Sequence, residues 1–186
     1  MPATNSIIAK LFYLQEPVSP EEFVHLVHEH RAMLHKVCNL YCYTEHDRQD
    51  LFQEIIVQLW KSWPRFRGES KFGTWLYRIA LNTAISGLRR QKKQFTFTDP
   101  GGLPAETPDI PYPREQEEQL QQLYHAIGKL TEVEKALVML YLDDKNYEEM
   151  EEILGMNQNN LRVKMNRIKD KLRKLTKEAA DGTGKP

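Results

Sequence analysis

Half of the ten prolines in this 186-residue chain fall between positions 100 and 113, and two adjacent glycines lie among them. Proline interrupts helices and central strands because it lacks a backbone N–H and its ring clashes with the preceding turn. The stretch 96–114 is therefore predicted to be an extended, flexible linker. We expect it to join two small domains, at 19–95 and 115–177, with tails at 1–18 and 178–186.

Both domains are predicted to be helical, because apolar residues recur at helical spacing and strand-like alternation is nowhere sustained. Four capping side chains that precede acidic residues mark helix starts at Ser19, Thr44, Thr131 and Asn146. The first of these helices is predicted to run to about Tyr43. Longer helices are predicted at 74–93 and from 157 to about 177, so the expected fold class is all-α.

The 26 basic and 26 acidic residues cancel in net charge but are segregated along the chain. Positions 60–95 hold nine Lys or Arg and one acid, and positions 157–177 hold eight and one. Positions 131–156 hold eight acids and two lysines. Two separate basic segments are typical of a protein that contacts a polyanion at two points.

Several classes of protein and site are excluded by the composition. The mean hydropathy of -0.62 and the lack of a long apolar run argue against membrane insertion. We expect no signal peptide and a cytoplasmic location. His35, Cys38, Cys42 and His46 recur on one helical side, but helix-face Cys and His are usually core or surface residues. We therefore predict no metal site, no cofactor and no catalytic residue.

The segment 146–175 has the spacing of a helix-turn-helix, with Gly155 in the turn. One stripe of the long second helix is apolar: Leu161, Met165, Ile168, Leu172 and Leu175. The other face carries amides and arginines, which can hydrogen-bond base edges, and a valine that can pack on a thymine methyl. The predicted DNA-reading residues are Gln158, Asn159, Asn160, Arg162, Val163, Lys164, Asn166 and Arg167. Nearby lysines, including Lys171 and Lys174, suit phosphate contacts.

The predicted helix at 74–93 follows a loop with two phenylalanines and a glycine, and one of its faces mixes basic, amide and aromatic side chains. Aromatic rings stack on unpaired bases while cations hold the backbone, and such a loop could receive an extruded base. The residues predicted to act on an opened strand are Phe66, Arg67, Gly68, Glu69, Ser70, Lys71, Trp75, Arg78, Asn82, Ser86, Arg89 and Lys93. The alternative, that Phe66, Phe72 and Trp75 are core residues, stays open.

The preceding helix carries Asp47, Asp50, Glu54 and Gln58 on one side. An acidic stripe repels DNA, so a protein contact is one interpretation. From the spacing alone, a solvated face is the simpler interpretation.

These residues resemble the extracytoplasmic-function sigma factors of bacterial RNA polymerase, and the resemblance covers roughly positions 22–175. The sequence DLFQE at 50–54 is similar to the family's core-binding helix. The sequence FRGESKFGTWLYRIALNTA at 66–84 is similar to its promoter-melting segment. Positions 130–155 resemble the start of its second domain, and positions 160–169 resemble the recognition helix of some members.

The resemblance implies a sigma region 2 domain at 19–95 that melts the minus-ten element and a sigma region 4 domain at 115–177 that reads the minus-thirty-five element. It implies contact with the β′ subunit of core polymerase through Asp47, Asp50, Gln53, Glu54 and Gln58, and contact of the second domain with the β flap. The implied partners are core polymerase, promoter DNA, and an anti-sigma factor or another regulatory or recruiting protein.

Two positions depart from the family pattern, since many members have aspartate where this chain has Ser86 and alanine where it has Glu151. The Glu151 side chain is predicted to face solvent or to pair, for example with a basic residue of the last helix.

Three alternatives remain beside a sigma factor. An autonomous helix-turn-helix regulator would bind duplex DNA as a dimer and would have no use for the aromatic and basic loop. A protein-interaction module that kept the fold and lost DNA binding is disfavoured by the intact basic faces. A nucleic-acid-modifying enzyme is disfavoured because the sequence holds no catalytic constellation.

Overall fold

A computed structural model describes residues 19–68, 70–94 and 122–182, and in its two longest helices the side chains are described as far as positions 88 and 177. Within these ranges every regular element is helical, which confirms the all-α class. The predicted linker at 96–114 and the N-terminal tail lie outside the described residues. No described helix combines the length and apolar character needed to cross a membrane.

The first domain consists of α1 (Pro20–Glu29), α2 (Arg31–Tyr41), α3 (Glu45–Ser62), a 3₁₀ turn (Trp63–Arg65) and α4 (Phe72–Gln94). Two predicted caps are present: the Ser19 hydroxyl accepts from the Glu22 N–H at 3.2 Å, and the Thr44 hydroxyl accepts from the Asp47 N–H at 3.1 Å. The helices enclose a core of fully buried side chains, which include Leu34, Ile55, Leu59, Leu76 and Leu81.

The prediction of one continuous helix from Ser19 to Tyr43 is wrong, because the helix breaks at His30. His30 has φ -102° and ψ 8°, and its Nδ1 lies 2.9 Å from the Leu26 carbonyl oxygen. Its ring also packs edge-on against Phe72, with 5.1 Å between centroids. A side chain that bonds the preceding turn competes with the helical ladder, and the contact with α4 holds the break in place.

The second domain consists of a helical segment at 122–128, α5 (Glu132–Leu142), α6 (Tyr147–Leu154) and α7 (Gln158–Gly182). Reciprocal capping boxes open α5 at Thr131 and α6 at Asn146, as predicted. Asn157 accepts the Asn159 N–H at 2.9 Å where α7 begins. The helix-turn-helix prediction is confirmed, and α7 runs beyond its predicted end at Lys177.

Gly155 joins α6 to α7 with φ 66°, in the left-handed region, and its N–H donates to the Glu151 carbonyl at 2.8 Å. We expect Gly155→Ala to destabilise the chain by about 1–2 kcal/mol, because a Cβ is disfavoured at this φ. No atom lies within 4 Å of the added Cβ, so no clash adds to this cost. Gly155→Asn should lose less in thermal unfolding, since asparagine tolerates the left-handed region. Equal losses for the two variants would contradict the backbone explanation.

Candidate nucleic-acid and polymerase interfaces

Helix α7 separates its apolar stripe from its predicted reading face. Leu161, Met165 and Ile168 are at most 1% exposed, and Leu172 and Leu175 are half-buried. Gln158 is half-buried, and the other predicted DNA-reading residues are exposed: Asn159, Asn160, Arg162, Val163, Lys164, Asn166 and Arg167. Val163 keeps 49% of its surface exposed although it is apolar. The face is thus presented outward by a helix that is anchored on its opposite side.

The start of the reading face is held by side chains of α6. The Arg162 guanidinium lies 5.1 Å from the centroid of the Tyr147 ring and donates to Asn159 Oδ1 at 3.3 Å. Gln158 donates to the Glu151 carboxylate at 2.9 Å. Glu151 therefore pairs with a residue of the last helix, which was one of the predicted alternatives, although this partner is an amide and not a basic side chain. The sequence analysis did not identify Tyr147. Its position four residues before Glu151 places both residues on one face of α6, and this spacing could have identified it.

Several basic residues around this face are already paired within the second domain. Lys169 Nζ lies 3.1 Å from the Tyr141 hydroxyl, and Lys171 Nζ lies 3.0 Å from Glu134 Oε2. Burial tends to raise the pKa of Glu134, but hydrogen bonds from Thr131 and the charge of Lys171 outweigh it, so this pKa is below its ordinary value. Lys171 thus ties α7 to α5. Lys174, which is exposed and makes no ion pair in the described part of the chain, is the better phosphate candidate.

Helix α4 also divides into two faces. Tyr77, Leu81 and Ala84 are buried, whereas Asn82 and Ser86 are exposed on the other side. Arg78 and Lys71 are exposed as well. The side chains of Arg89 and Lys93, and the whole of Glu69, lie outside the described residues. The described members of the predicted melting surface therefore share one side of the helix and its leading loop.

The aromatic residues of this region pack on one another. The Trp75 ring lies 4.9 Å from Phe66, 5.5 Å from Phe72 and 5.9 Å from Trp63, and all but Trp63 are half-buried. Phe66 also stacks on Trp63 at 5.7 Å. Trp75 therefore supports the domain and also keeps part of its ring accessible. Any substitution of this residue affects stability together with binding.

The loop before α4 is the polar part of the same surface. Gly68 has φ 69°, so the chain turns there in a conformation that favours glycine. Arg67, Gly68 and Lys71 are exposed, and Ser70 is half-buried. The loop thus offers backbone and polar groups beside the half-buried aromatic rings.

The acidic face of α3 is exposed at Asp47, Asp50, Gln53 and Glu54 and half-buried at Gln58, whose amide donates to Glu54 at 2.7 Å. Sequence reasoning missed two apolar residues that continue this face. Val57 is 42% exposed and Trp60 is 49% exposed, and the Trp60 ring lies edge-on to Phe23 at 5.1 Å. Exposed tryptophan beside acidic groups is typical of a protein interface rather than a solvated face. Val57 and Trp60 follow Asp50 by seven and ten residues, which is about two and three helical turns, and this spacing could have identified them as part of the same face.

The four residues of metal-ligand type are spread over α2 (His35 and Cys38), its C-terminal cap (Cys42) and α3 (His46). The His35 ring stacks on Phe52 at 4.8 Å, and His46 Nε2 lies 3.5 Å from Asp50. Cys38 is buried, and burial together with the nearby Cys42 raises the pKa of its thiol to about 12. Among the described residues no group of three or more His, Cys, Asp or Glu side chains could hold a metal ion.

Comparison with known proteins assigns both domains. The family "Sigma-70 region 2" matches residues 26–94, and the family "Sigma-70, region 4" matches residues 120–172. Two solved chains share the fold. CnrH, in complex with the cytosolic domain of CnrY, is 21% identical with a TM-score of 0.61, covering 87% of this chain and 91% of that one. The sigma factor RpoE of Bartonella quintana, in complex with the anti-sigma factor NepR, is 18% identical with a TM-score of 0.68, covering 84% and 98%.

Curated relatives point to one family. The ECF RNA polymerase sigma factor SigG of Mycobacterium tuberculosis is 41% identical over 49 residues, a match that spans 26% of this chain and 13% of that relative. The ECF RNA polymerase sigma-E factor of Escherichia coli is 30% identical over 135 residues, which cover 67% of this chain and 71% of the relative. The resemblance stated from the sequence agrees with these matches, and the chain belongs to the extracytoplasmic-function family of RNA polymerase sigma factors.

Proposed function

We propose that this sigma factor brings core RNA polymerase to promoters through three separate surfaces. Helix α7 reads the minus-thirty-five element, the face of α4 with loop 66–71 acts on the opened minus-ten strand, and the acidic face of α3 binds core polymerase. The observation that carries the proposal is the outward face of α7. Its amides, Arg162 and Val163 are exposed directly opposite the buried stripe of Leu161, Met165 and Ile168. Such a face suits the major groove.

The acidic face of α3 supports a polymerase partner. Asp50 and Glu54 are exposed and would be repelled by DNA phosphates, so this face meets a protein. The neighbouring Val57 and Trp60 supply the apolar part that such a contact needs. A regulator that acts alone on duplex DNA would have no use for this face, which makes it the less favoured function.

The cellular location of the protein can be inferred from its proposed partners. Polymerase and chromosome share the bacterial cytoplasm, so we place this chain there. The polymerase performs nucleotide transfer, and this chain contributes binding and strand opening. Because RpoE of Bartonella quintana was solved with an anti-sigma factor, we propose an anti-sigma factor, or another regulatory or recruiting protein, as a further partner.

Transcription in vitro tests the proposed function. Core polymerase is incubated with genomic DNA fragments, with and without the full chain, and the start sites are mapped. We expect new start sites that share two upstream elements. Transcripts that match those of core polymerase alone would contradict the proposal.

The division of roles on α7 can be tested with one pair of variants. Arg162→Ala should cost about 1–3 kcal/mol in binding to the mapped minus-thirty-five duplex if it contacts a base, and the cost should depend on sequence. Lys174→Ala should weaken binding to all duplexes alike and lower the salt dependence. The measurement is fluorescence anisotropy across a set of single-base variants. Identical behaviour of the two variants would make Arg162 a phosphate contact.

A further inference from the structure

The Arg162 side chain is exposed, yet it is held on three sides by the protein itself. Its guanidinium lies 5.1 Å from the centroid of the Tyr147 ring. Nη1 donates to Asn159 Oδ1 at 3.3 Å, and Nη2 lies 3.5 Å from Gln158 Oε1. Stacking on an aromatic face fixes the plane of a guanidinium, and the two amide oxygens fix its rotation within that plane. A guanidinium has more N–H donors than these two contacts use, so it can still bind a base edge.

Gln158 can orient Arg162 because its own amide is oriented by Glu151. Gln158 Nε2 donates to Glu151 Oε2 at 2.9 Å, across the turn between α6 and α7. A carboxylate only accepts hydrogen bonds, so it selects the amide orientation with the nitrogen toward α6. The amide oxygen then faces the Arg162 donors. Without Glu151 the amide could rotate and present its N–H groups to a cation, which has the wrong polarity to accept them.

The carboxylate of Glu151, the amide of Gln158 and the guanidinium of Arg162 form a relay that runs from α6 to the reading face. Its first two members are half-buried, and only Arg162 is exposed. Tyr147 is also half-buried and packs against the apolar core. The group that faces DNA is therefore supported by side chains that are anchored within the helix-turn-helix.

This support bears on how strictly a base is selected. An arginine distinguishes bases best when its guanidinium makes two parallel hydrogen bonds to one base edge. A mobile guanidinium can swing to a phosphate or to a neighbouring base, and each alternative contact lowers the preference for the correct base. Holding the guanidinium in the free protein removes these alternatives and reduces the entropy that is lost on binding.

We propose that Glu151 is a positioning residue for minus-thirty-five recognition. Through Gln158 it holds the Arg162 guanidinium over Tyr147, and this sets how strictly one base of the element is selected. Gln158 then serves as the middle of the relay and does not read a base. The proposal rests on the proposed function, which assigns Arg162 to a base edge.

Binding of the holoenzyme, formed from core polymerase and the full chain, tests the proposal. Fluorescein-labelled promoter fragments carry the mapped minus-thirty-five element or each of its single-base substitutions, and anisotropy at low temperature gives the Kd of the closed complex. Arg162→Ala identifies the base pair at which preference is lost. At that base pair, Glu151→Ala should lower the ratio of the Kd for the substituted sequence to the Kd for the mapped one by about threefold to tenfold, the range of one net hydrogen bond. Ratios at the other base pairs should not change.

Two control variants separate the relay from net charge. Glu151→Gln retains an acceptor oxygen for the Gln158 amide and should keep the ratio of the unchanged chain. Glu152→Ala removes the same charge from the next residue of α6, which is exposed, and should keep the ratio as well. In the Arg162→Ala background, Glu151→Ala should have no further effect on the ratio, because Glu151 acts only through Arg162.

Three outcomes would overturn the proposal. If Arg162→Ala abolishes the preference at one base pair but Glu151→Ala leaves it intact, or weakens binding to all fragments alike, Arg162 is oriented without the relay and the proposed function stands. If Glu151→Gln or Glu152→Ala lowers the ratio as much as Glu151→Ala does, charge is responsible rather than the hydrogen bond. If Arg162→Ala weakens binding to all fragments alike, Arg162 contacts a phosphate, and its reading role fails together with the positioning role.

Discussion

Asp50→Lys combined with Glu54→Lys is expected to weaken binding to core polymerase by about 2–5 kcal/mol, which is more than tenfold in Kd. Both carboxylates are exposed on α3 beside Val57 and Trp60. The reversal therefore places two positive charges against a polymerase surface that we propose to be complementary to negative ones. Helicity should be retained, since a like-charge pair four residues apart costs only about 0.2–0.5 kcal/mol. Affinity for labelled core polymerase is the measurement.

The matched control for this reversal is Glu29→Lys with Glu148→Lys. It makes the same change in net charge at exposed positions on α1 and α6. Core affinity should then stay near that of the unchanged chain. If both double variants lose affinity equally, the effect is one of overall charge and the α3 assignment fails. Trp60→Ala offers a separate test of the apolar part, and unchanged affinity would limit the interface to the acidic residues.

Asn82→Ala is expected to leave closed-complex formation nearly intact and to cut the yield of open complexes severely. Losing one contact to a flipped or stacked base removes about 1–3 kcal/mol, while unstacking a base costs a few kcal/mol, so the balance of melting shifts against the bubble. Permanganate reactivity and transcript yield measure the defect. A pre-melted template should rescue transcription. Asn39→Ala makes the same chemical change at an exposed position of α2 and should show no defect.

Trp75→Ala is the weaker test of the same surface, because its ring contacts Phe66, Phe72 and Trp63. Removing a half-buried tryptophan costs up to about 3 kcal/mol of stability, so melting defects and unfolding would be mixed. Thermal unfolding separates them. If Asn82→Ala has no melting defect, or if a pre-melted template gives no rescue, α4 does not act on the opened strand.

Local patterns in the sequence predicted most of the helix starts. Thr44, Thr131 and Asn146 are capping residues whose partners lie three positions away, so neighbouring residues are enough to specify each start. The stripe of Leu161, Met165 and Ile168 likewise follows from helical periodicity, and its burial leaves the predicted reading face exposed on the opposite side. Motif resemblance then supplied the family, which spacing alone would not have given.

Contacts between residues that are far apart in the sequence determined a helix break and side-chain pairs that local patterns did not predict. The break at His30 is held in place by Phe72, a residue of another helix, so a window of sequence around position 30 contains only the local contact with Leu26. Contacts between elements also determined the partners of Lys171 and Glu151, because Lys171 pairs with Glu134 of α5 and Glu151 pairs with Gln158 across the turn.

By itself, the sequence determined the all-α class and the helix-turn-helix, because each follows from periodicity and capping chemistry within one segment, and its motifs were similar enough to those of sigma factors to indicate the family. Only the tertiary structure decided which charged residues remain available. Lys71 and Arg78 lie in the first domain, and their partners Glu149 and Glu152 lie more than seventy positions away. Charge pairing of this kind depends on how two domains pack, and packing is a property of the assembled surfaces rather than of any one helix.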